Sequence, residues 1–403
     1  MTGKPKPSHF GNDGLATRLA AQSQRSVAFR ALSNTRTSIY RYGEYFLKPP
    51  PQVLNRPRYI PQKKLWIPKV DLTPFPPRRD DLLVATLLDE FSAEVYHPEF
   101  RHIALTPFNW KKAITEKPDF VFMESAWRGH RGIWRGHMAR KKGPSQKLRT
   151  MIRAFRDAGI PVVFWNKEDP PNYDYFIETA KEADLVFTTA EELIPTYKTT
   201  LGHNRVWLLP FAIQPLIHHP NTSGDLIGEV SFAGTYYAHK HPERKNQIDA
   251  IIGGASGFDL DIYPRKASGP QYQWPEKYRK FLRSPLPYRQ LLEVQKRYKV
   301  VLNVNSVTDS PTMCSRRVFE LAASGVPIVS GESKAIAQLF GDTIRQAESP
   351  FQTTRLIQEL LRDPYLAQSV AGRAFERANQ LDAQASVNRI LGSVHQVRSQ
   401  SPV

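Results

Sequence analysis

The sequence predicts an α/β protein: two doubly wound, parallel-sheet domains facing a cleft, preceded by a Pro-rich basic arm. Three observations lead there. Short apolar runs recur in two separate series, over residues 80–212 and 213–380. Stretches of helical spacing separate the runs within each series, as when parallel strands are joined by crossover helices. Residues 1–79 resemble neither series. The first 80 residues hold 15 Lys/Arg against 4 Asp/Glu, together with 11 of the 33 prolines.

A length of 403 residues is ample for two buried cores. Hydrophobic content of 40% with 11% aromatics is that of a globular chain. No apolar run approaches the roughly 20 residues that span a bilayer. MTGKPKPSHFGNDG lacks the apolar core of a secretory signal, so the expected location is cytoplasmic. One cysteine, Cys314, forms neither an internal disulfide nor a Cys-based metal cage. Of the net +18, +11 falls in the first 80 residues. Such an arm buries too little apolar surface to fold alone, although Tyr40, Tyr45, Tyr59 and Trp66 offer points for docking. Basic charge with interleaved aromatics suits single-stranded nucleic acid. It equally suits a solvated arm, or contact with an anionic surface that holds the protein at the periphery of a membrane.

The folded part begins at Asp80. DLLVATLLDEF reads as a first strand ending in Asp89-Glu90, and KPDFVFMESAW as a second, Phe120 to Met123, ending in Glu124-Ser125. The helical stretch Ser145 to Ala158 places Leu148, Ile152 and Phe155 on one face. GIPVVFWNKEDPP supplies Val162 to Trp165 and ends in the polar run Asn166 to Asp169. EADLVFTTAEE supplies Leu185 to Phe187. Ligands of doubly wound sheets bind outside the carboxyl ends of the strands, and each of these strands ends there in polar residues. Ordinary strand-to-loop polarity would produce the same pattern.

Residues 204–220 close the first domain and cross to the second. The pair His218-His219 is not read as a metal site, because adjacent side chains on an extended segment point opposite ways. Val230 to Phe232 opens the second series, followed by Gly234, where backbone can approach closely. The basic loop with Lys240 and Arg244 follows, suited to phosphates or merely to solvent. Leu260 to Tyr263 is the next strand, Pro285 to Tyr298 a helix, and Val300 to Val304 a strand buried on both faces. From Ser315 the spacing is helical, with Val318, Leu321 and Ala322 on one face. Gly325 stops that helix and Ile328-Val329 is a further strand. After Gly341 the pattern is helical to the end.

Arg316 and Arg317 sit in the first turn of the helix after Ser315, against a dipole that favours acidic residues. An anion at the helix N-terminus would explain them, since free N–H groups and guanidinium forks both bind phosphate. Glu320 lies a turn further in, within reach of hydroxyls attached to such a phosphate. A solvated face with an i, i+4 Arg316–Glu320 pair is the plainer explanation.

RRVFELAASGVPIVS resembles the nucleotide-sugar segment of GT-B glycosyltransferases, most closely the CgeB-like (spore maturation protein) group. DEFSAE, ESAWRGHRGIW, FWNKEDPP and VFTTAEE resemble strand ends of the CgeB-like N-terminal domain, in the same order, and the likeness runs from about Asp80 to about Gly341. It implies a GT-B fold with a nucleotide-sugar domain at 213–380 and an acceptor domain at 80–212. A helix within 381–403 would cross back to the acceptor domain. Gly234, Lys240, Arg244, Thr312, Ser315, Arg316 and Arg317 would then hold the diphosphate side of the donor, with Glu320 on the ribose. Thr312 stands where the larger retaining families carry a second Glu. Glu124, Trp127, Asn166 and Glu168 would face the acceptor. For an inverting transfer the base would be Asp169, expected at the lip of the cleft, with Asp89 and His130 next.

The activity so implied is metal-independent sugar transfer from a nucleoside diphosphate sugar, UDP-linked, without a cofactor. The acceptor would be a glycan, a lipid-linked glycan or a protein. Other readings are a GT-B scaffold without catalysis, a basic-tailed binder of nucleic acid or an assembly surface, and a GT-B nucleotide-sugar epimerase.

Overall fold

Polar strand ends come together at two sheets in a computed structural model describing residues 70–220, 225–237, 242–265 and 272–400. All of these lie in the unit Pro57–Val403. Most of the basic arm, and Lys240, fall outside the described residues.

The first sheet has six strands: β1 (Arg79–Leu87), β2 (Phe100–Ala104), β3 (Phe120–Glu124), β4 (Val162–Asn166), β5 (Leu185–Thr188) and β6 (Val206–Leu208). They run parallel in the order β2-β1-β3-β4-β5-β6. Helices α1 (Glu90–Tyr96), α2 (Trp110–Thr115), α3 (Gln146–Asp157), α4 (Tyr173–Ala180) and α5 (Ile194–Leu201) connect them. The second sheet comprises β7 (Gly228–Gly234), β8 (Leu260–Pro264), β9 (Tyr298–Asn303), β10 (Ile328–Gly331) and β11 (Arg345–Ala347), parallel in the order β11-β10-β9-β7-β8. Its helices are α6 (Pro242–Ala255), α7 (Tyr288–Gln295), α8 (Arg316–Ala323), α9 (Lys334–Phe340), α10 (Pro350–Arg362) and α11 (Pro364–Asn379).

Three strands were not expected: β2, β6 and β11. Each is an edge strand of three to five residues. An edge strand need bury only part of its length, so FRHIA, VWL and RQA lack the apolar run that marks the central strands. The segment after Gly341 is therefore not wholly helical.

The chain crosses between the sheets twice. Ile213 N–H donates to Leu381 O at 3.0 Å, and Ala383 N–H donates to Ile213 O at 2.8 Å, so the outward and return crossings lie side by side. The last helix, α12 (Ala383–Gln400), then packs on the first domain. Its Val387, Ile390 and Val394 share a core with Leu82, Val95, Tyr96 and Phe120. Arg398 donates to Asp119 O at 2.7 Å beyond them. No helix among the described residues is long and apolar enough to cross a membrane.

Candidate active site

Helix α8 is aimed by buried amides. Asn305, just past β9, donates through Nδ2 to Gly331 O at 2.9 Å, accepts from Ser315 N at 3.2 Å, and gives its own N–H to Gln247 at 2.7 Å. These bonds set where α8 begins. Ser315 stands at its N-cap but makes no side-chain capping bond; its carbonyl accepts from Val318 N at 3.0 Å, and no side chain among the described residues caps the N–H groups of Arg316 and Arg317. Val318, Leu321 and Ala322 bury the opposite face, so Arg316, Arg317 and Glu320 come to one place.

Both readings of that first turn hold a part of the truth. Arg316 Nε pairs with Glu320 at 3.2 Å, the ordinary i, i+4 contact. Yet Glu320 is fully buried, and three further arginines gather near the Arg316–Glu320 pair. Arg317 Nε is 4.0 Å from Glu320 Oε2. Arg265, just beyond β8, and Arg244, in α6, lie close enough to feel Arg317's charge. Burial pushes the Arg244 guanidinium down to about 10, with Arg317 and Arg265 adding to the shift. Surrounding protein and the charges of Arg316 and Arg317 likewise lower Arg265, although one edge of it stays open to solvent. Four cations thus lie together, two of them paired with the one carboxylate among them, an excess that favours an anion.

Their roles differ. Arg244 donates to the carbonyls of Val304 (3.1 Å) and Thr235 (3.4 Å), tying together the ends of β7 and β9. Gly234 admits it: a Cβ there would meet Phe232 Cζ at 2.7 Å and Arg244 Nη2 at 3.1 Å. Arg317 gives Nη1 to Gln295 at 2.8 Å. Arg265 and Arg316 instead lie on the Phe91 ring, 4.3 and 4.2 Å from its centroid. Phe91 belongs to α1 of the first domain, so it reaches across the cleft.

Glu320 terminates a hydrogen-bond chain. Gln214 N–H donates to His218 Nδ1 at 2.9 Å, which makes Nδ1 the acceptor and leaves the proton on Nε2. Nε2–H donates to Tyr288 Oη at 2.8 Å, and Tyr288 O–H donates to Glu320 Oε1 at 2.7 Å. Burial pushes His218 down to about 4, so it is neutral. Burial would raise the Glu320 carboxyl, but the charges of Arg316 and Arg317 and the Tyr288 hydrogen bond outweigh it and hold the group below its ordinary value. Oε1 is thereby occupied, whereas buried Oε2 accepts no hydrogen bond among the described residues.

Thr312 takes a different place from the one expected. It is 3% exposed, donates to Thr189 O at 2.8 Å and accepts from Glu191 N at 3.0 Å. Both partners lie beyond β5, so its hydroxyl joins the two domains and is not free for a donor phosphate. Ser310 donates to Glu192 at 3.1 Å beside it. Arg289 of α7 makes a further cross-domain contact, to Glu94 of α1 at 2.6 and 2.8 Å.

On the first domain, the ends of β1, β3 and β4 bring Asp89, Glu124 and Lys167 together. Lys167 Nζ is 2.9 Å from Glu124 Oε1 and 3.2 Å from Asp89 Oδ2. Burial raises the fully buried Glu124 carboxyl, only partly opposed by Lys167. Burial would lower Lys167, but Glu124 and Asp89 outweigh it and keep the ammonium charged. Asp89 keeps 23% of its side chain exposed and accepts from Gly129 N at 2.8 Å. Gly129 has φ 65°, which glycine adopts most easily. His130 follows, half-buried, near the stacked pair His97 and His102.

Asp169 corrects an expectation. It is 0% exposed, well below the lip of the cleft. Thr188 and Tyr197 donate to Oδ2 at 2.6 and 2.9 Å, and Asn166 Nδ2 donates to Oδ1 at 2.7 Å. Asn166 is buried in the same network, so neither residue faces an acceptor. Trp127 packs edge-on against Phe176, and Glu168 accepts from Asn172 at 3.2 Å. Burial pushes Asp169 up from 3.8 to about 7. The folded state therefore holds a proton that the unfolded chain has released between pH 4 and 7, and stability falls as pH rises through that window. Asp169→Asn should flatten this slope, worth on the order of 3–4 kcal/mol across the window. Thermal melts of both proteins from pH 4 to 8 would check it, and parallel slopes would refute it.

Phe91, Arg265 and Lys167 were not singled out from sequence. Arg265 and Lys167 carried a usable signal, a cation at the carboxyl end of a strand. Phe91 carried none. Phe91→Ala should weaken binding of a pyrophosphate probe about five- to thirtyfold, through two cation–π contacts of ~0.5–1 kcal/mol each that set the guanidinium planes. Phe91→Tyr should restore it. Calorimetry showing tighter binding in Phe91→Ala would mean that the ring occupies the anion's place.

This architecture, two parallel sheets with a returning helix, is the GT-B fold. An α-glucosyltransferase solved with UDP and a 13-mer DNA containing an HMU base is similar at TM-score 0.52 and 12% identity, over 73% of this chain and 85% of that one. T4 phage BGT with its UDP-glucose substrate gives 0.50 and 10%, over 78% and 99%. A glycosyltransferase from Rickettsia africae gives 0.50 and 9%, over 79% and 90%. Residues 238–391 match a family model described as "Glycosyl transferase-like". No curated protein sequence matches the chain.

Proposed function

We propose that the protein is a GT-B glycosyltransferase of the CgeB-like group, moving a sugar from a UDP-linked donor to a glycan, lipid-linked glycan or protein. The observation that carries this is the clustering of Arg265, Arg316 and Arg317, with Arg244 beside them, around the buried Glu320 at the carboxyl ends of a doubly wound sheet; only Arg316 and Arg317 pair with that carboxylate. UDP is chosen because two structures of similar fold hold UDP or UDP-glucose. In this reading Arg265 and Arg316 take the diphosphate, the first turn of α8 adds its N–H groups, and Glu320 Oε2 accepts from the ribose hydroxyls. Arginine charge then supports the departing diphosphate where other enzymes use a metal.

The acceptor hydroxyl is placed against Asp89. This is the half-open acid of the Lys167 cluster, two residues from the Phe91 ring that touches both arginines. Asp89 takes the hydroxyl proton as the acceptor oxygen bonds to the anomeric carbon. The bond from that carbon to the diphosphate oxygen breaks, and its electron pair leaves with UDP. Lys167 keeps the neighbouring carboxylates compensated throughout. The test is calorimetry with UDP and a panel of UDP-sugars, with and without a divalent ion, followed by assay of UDP release from those that bind. Binding of UDP without the ion, and slow donor hydrolysis, are expected. Failure of every nucleotide and nucleotide sugar to bind would overturn the proposal.

A further inference from the structure

Between residues 126 and 147 the chain carries seven Lys/Arg and no Asp/Glu. This loop leaves the carboxyl end of β3 beside Asp89, to which Gly129 is bonded, and ends at α3. It is not a loose excursion. Trp134 and Met138 are fully buried within it, and Trp134 Nε1 donates to Leu105 O at 2.8 Å. His137 and Ser145 close its base, with a 2.7 Å side-chain bond and a 2.8 Å backbone bond. The buried indole ties it to the turn after β2, in which Asn109 accepts from Thr106 N at 2.7 Å and Phe108 N donates to Thr106 Oγ1 at 3.3 Å. That rigid turn holds the Phe108 ring 81% exposed, with Lys147 Nζ 5.5 Å from its centroid. Ile133, next to the buried Trp134, is 37% exposed.

We infer that this face docks on an anionic phospholipid surface. Exposed Phe108 and Ile133 are the apolar tips that enter the headgroup layer; Lys147 beside the Phe108 ring and the exposed Arg131 and Lys142 of the same loop supply the charge, while Lys141 is paired with Asp174. A nucleic-acid groove would use the same charge, but it has no use for an aliphatic tip such as Ile133, whereas base stacking needs a π-face. Since the loop starts at Asp89, docking would present the acceptor side of the proposed site to the membrane and favour an acceptor anchored there. In that respect the inference rests on the proposed transfer, and it assigns the membrane contact to the folded domain rather than to the basic arm.

The test uses the full chain and sedimentation with phosphatidylcholine vesicles, with and without phosphatidylglycerol. Wild-type protein should bind only the anionic vesicles, and less as salt is raised. At about fivefold in partitioning per surface cation, the triple variant Arg131→Gln/Lys142→Gln/Lys147→Gln should bind roughly a hundredfold more weakly. Phe108→Ser, with charge unchanged, should lose about tenfold. Vesicle binding equal to wild type in both variants would overturn the inference and leave the arm as the contact. Loss of binding to a single-stranded oligonucleotide in both variants, with vesicle binding intact, would overturn it in favour of nucleic acid. UDP calorimetry on the same proteins keeps the two proposals apart. Unchanged UDP affinity in the variants shows the donor site intact, and failure of wild type to bind UDP sinks the donor reading alone.

Discussion

Arg265→Ala should weaken UDP binding by roughly ten- to a hundredfold, about the 1.5–3 kcal/mol lost with one charged hydrogen bond. Of the four arginines it gives the clearest result, because its guanidinium rests on Phe91 and solvent, not on Glu320. Arg316→Ala should lose comparable affinity and also stability. Its partner Glu320 is 1% exposed by side chain, and stripping a partner from a buried carboxylate costs up to about 3–5 kcal/mol. Arg317 and Tyr288 stay in contact with that carboxylate, so the loss should fall below this limit. Calorimetry and melting on both variants distinguish the effects. Unchanged UDP affinity in both would mean that the cluster does not meet the nucleotide.

The same cluster explains why a histidine is buried so far from any surface. His218 presents Nε2–H to Tyr288 because Gln214 N–H already occupies Nδ1. Tyr288 can then give its own proton only to Glu320 Oε1, which Arg316 also contacts, and this leaves Oε2 toward Arg317. The backbone at residue 214, where the chain has just crossed between domains, thus helps to set the orientation of a side chain on α8. Sequence alone showed two adjacent histidines, not read as a metal site; the hydrogen-bond chain was not legible in it.

What was legible follows burial. Central strands β1, β3, β4, β5, β7 and β9 are covered on both faces, so their apolar runs announce them. β8 is an edge strand, yet it was readable, because Ile262 O accepts from Arg283 N and the segment around Leu282 covers it. Within the site, Arg316, Arg317 and Glu320 were legible because two cations oppose a helix dipole, a conflict visible in one dimension. Asp169 was misplaced for a comparable reason. A polar residue after an apolar strand looks exposed, and nothing in NKEDPP tells that Thr188 and Tyr197, from later in the chain, close over it. Phe91 was invisible because its partners, Arg265 and Arg316, lie on the other domain.

Asp89→Asn should cut turnover by about 10²–10⁴, the usual contribution of a positioned base, while UDP affinity stays near wild type. Three features single out this acid from its neighbours. Asp169 is sealed off, and Glu124 is fully buried with its carboxyl raised by that burial. Of these three acids, Asp89 alone combines partial exposure with a position two residues from the ring that bridges Arg265 and Arg316. The substitution keeps the shape of the side chain, so Gly129 N–H retains an oxygen acceptor. Lys167 keeps Glu124 as its counter-charge, so folding should suffer little. Had Asp89 served only to hold the Gly129 turn and Lys167, Asn would leave turnover per folded molecule intact. Asp169→Asn is the contrasting variant: its effect should appear in the pH dependence of melting and not in turnover at the optimum. A large loss of turnover in Asp169→Asn, with wild-type activity in Asp89→Asn, would transfer the proton-accepting role to the buried network and require the cleft to open down to β4.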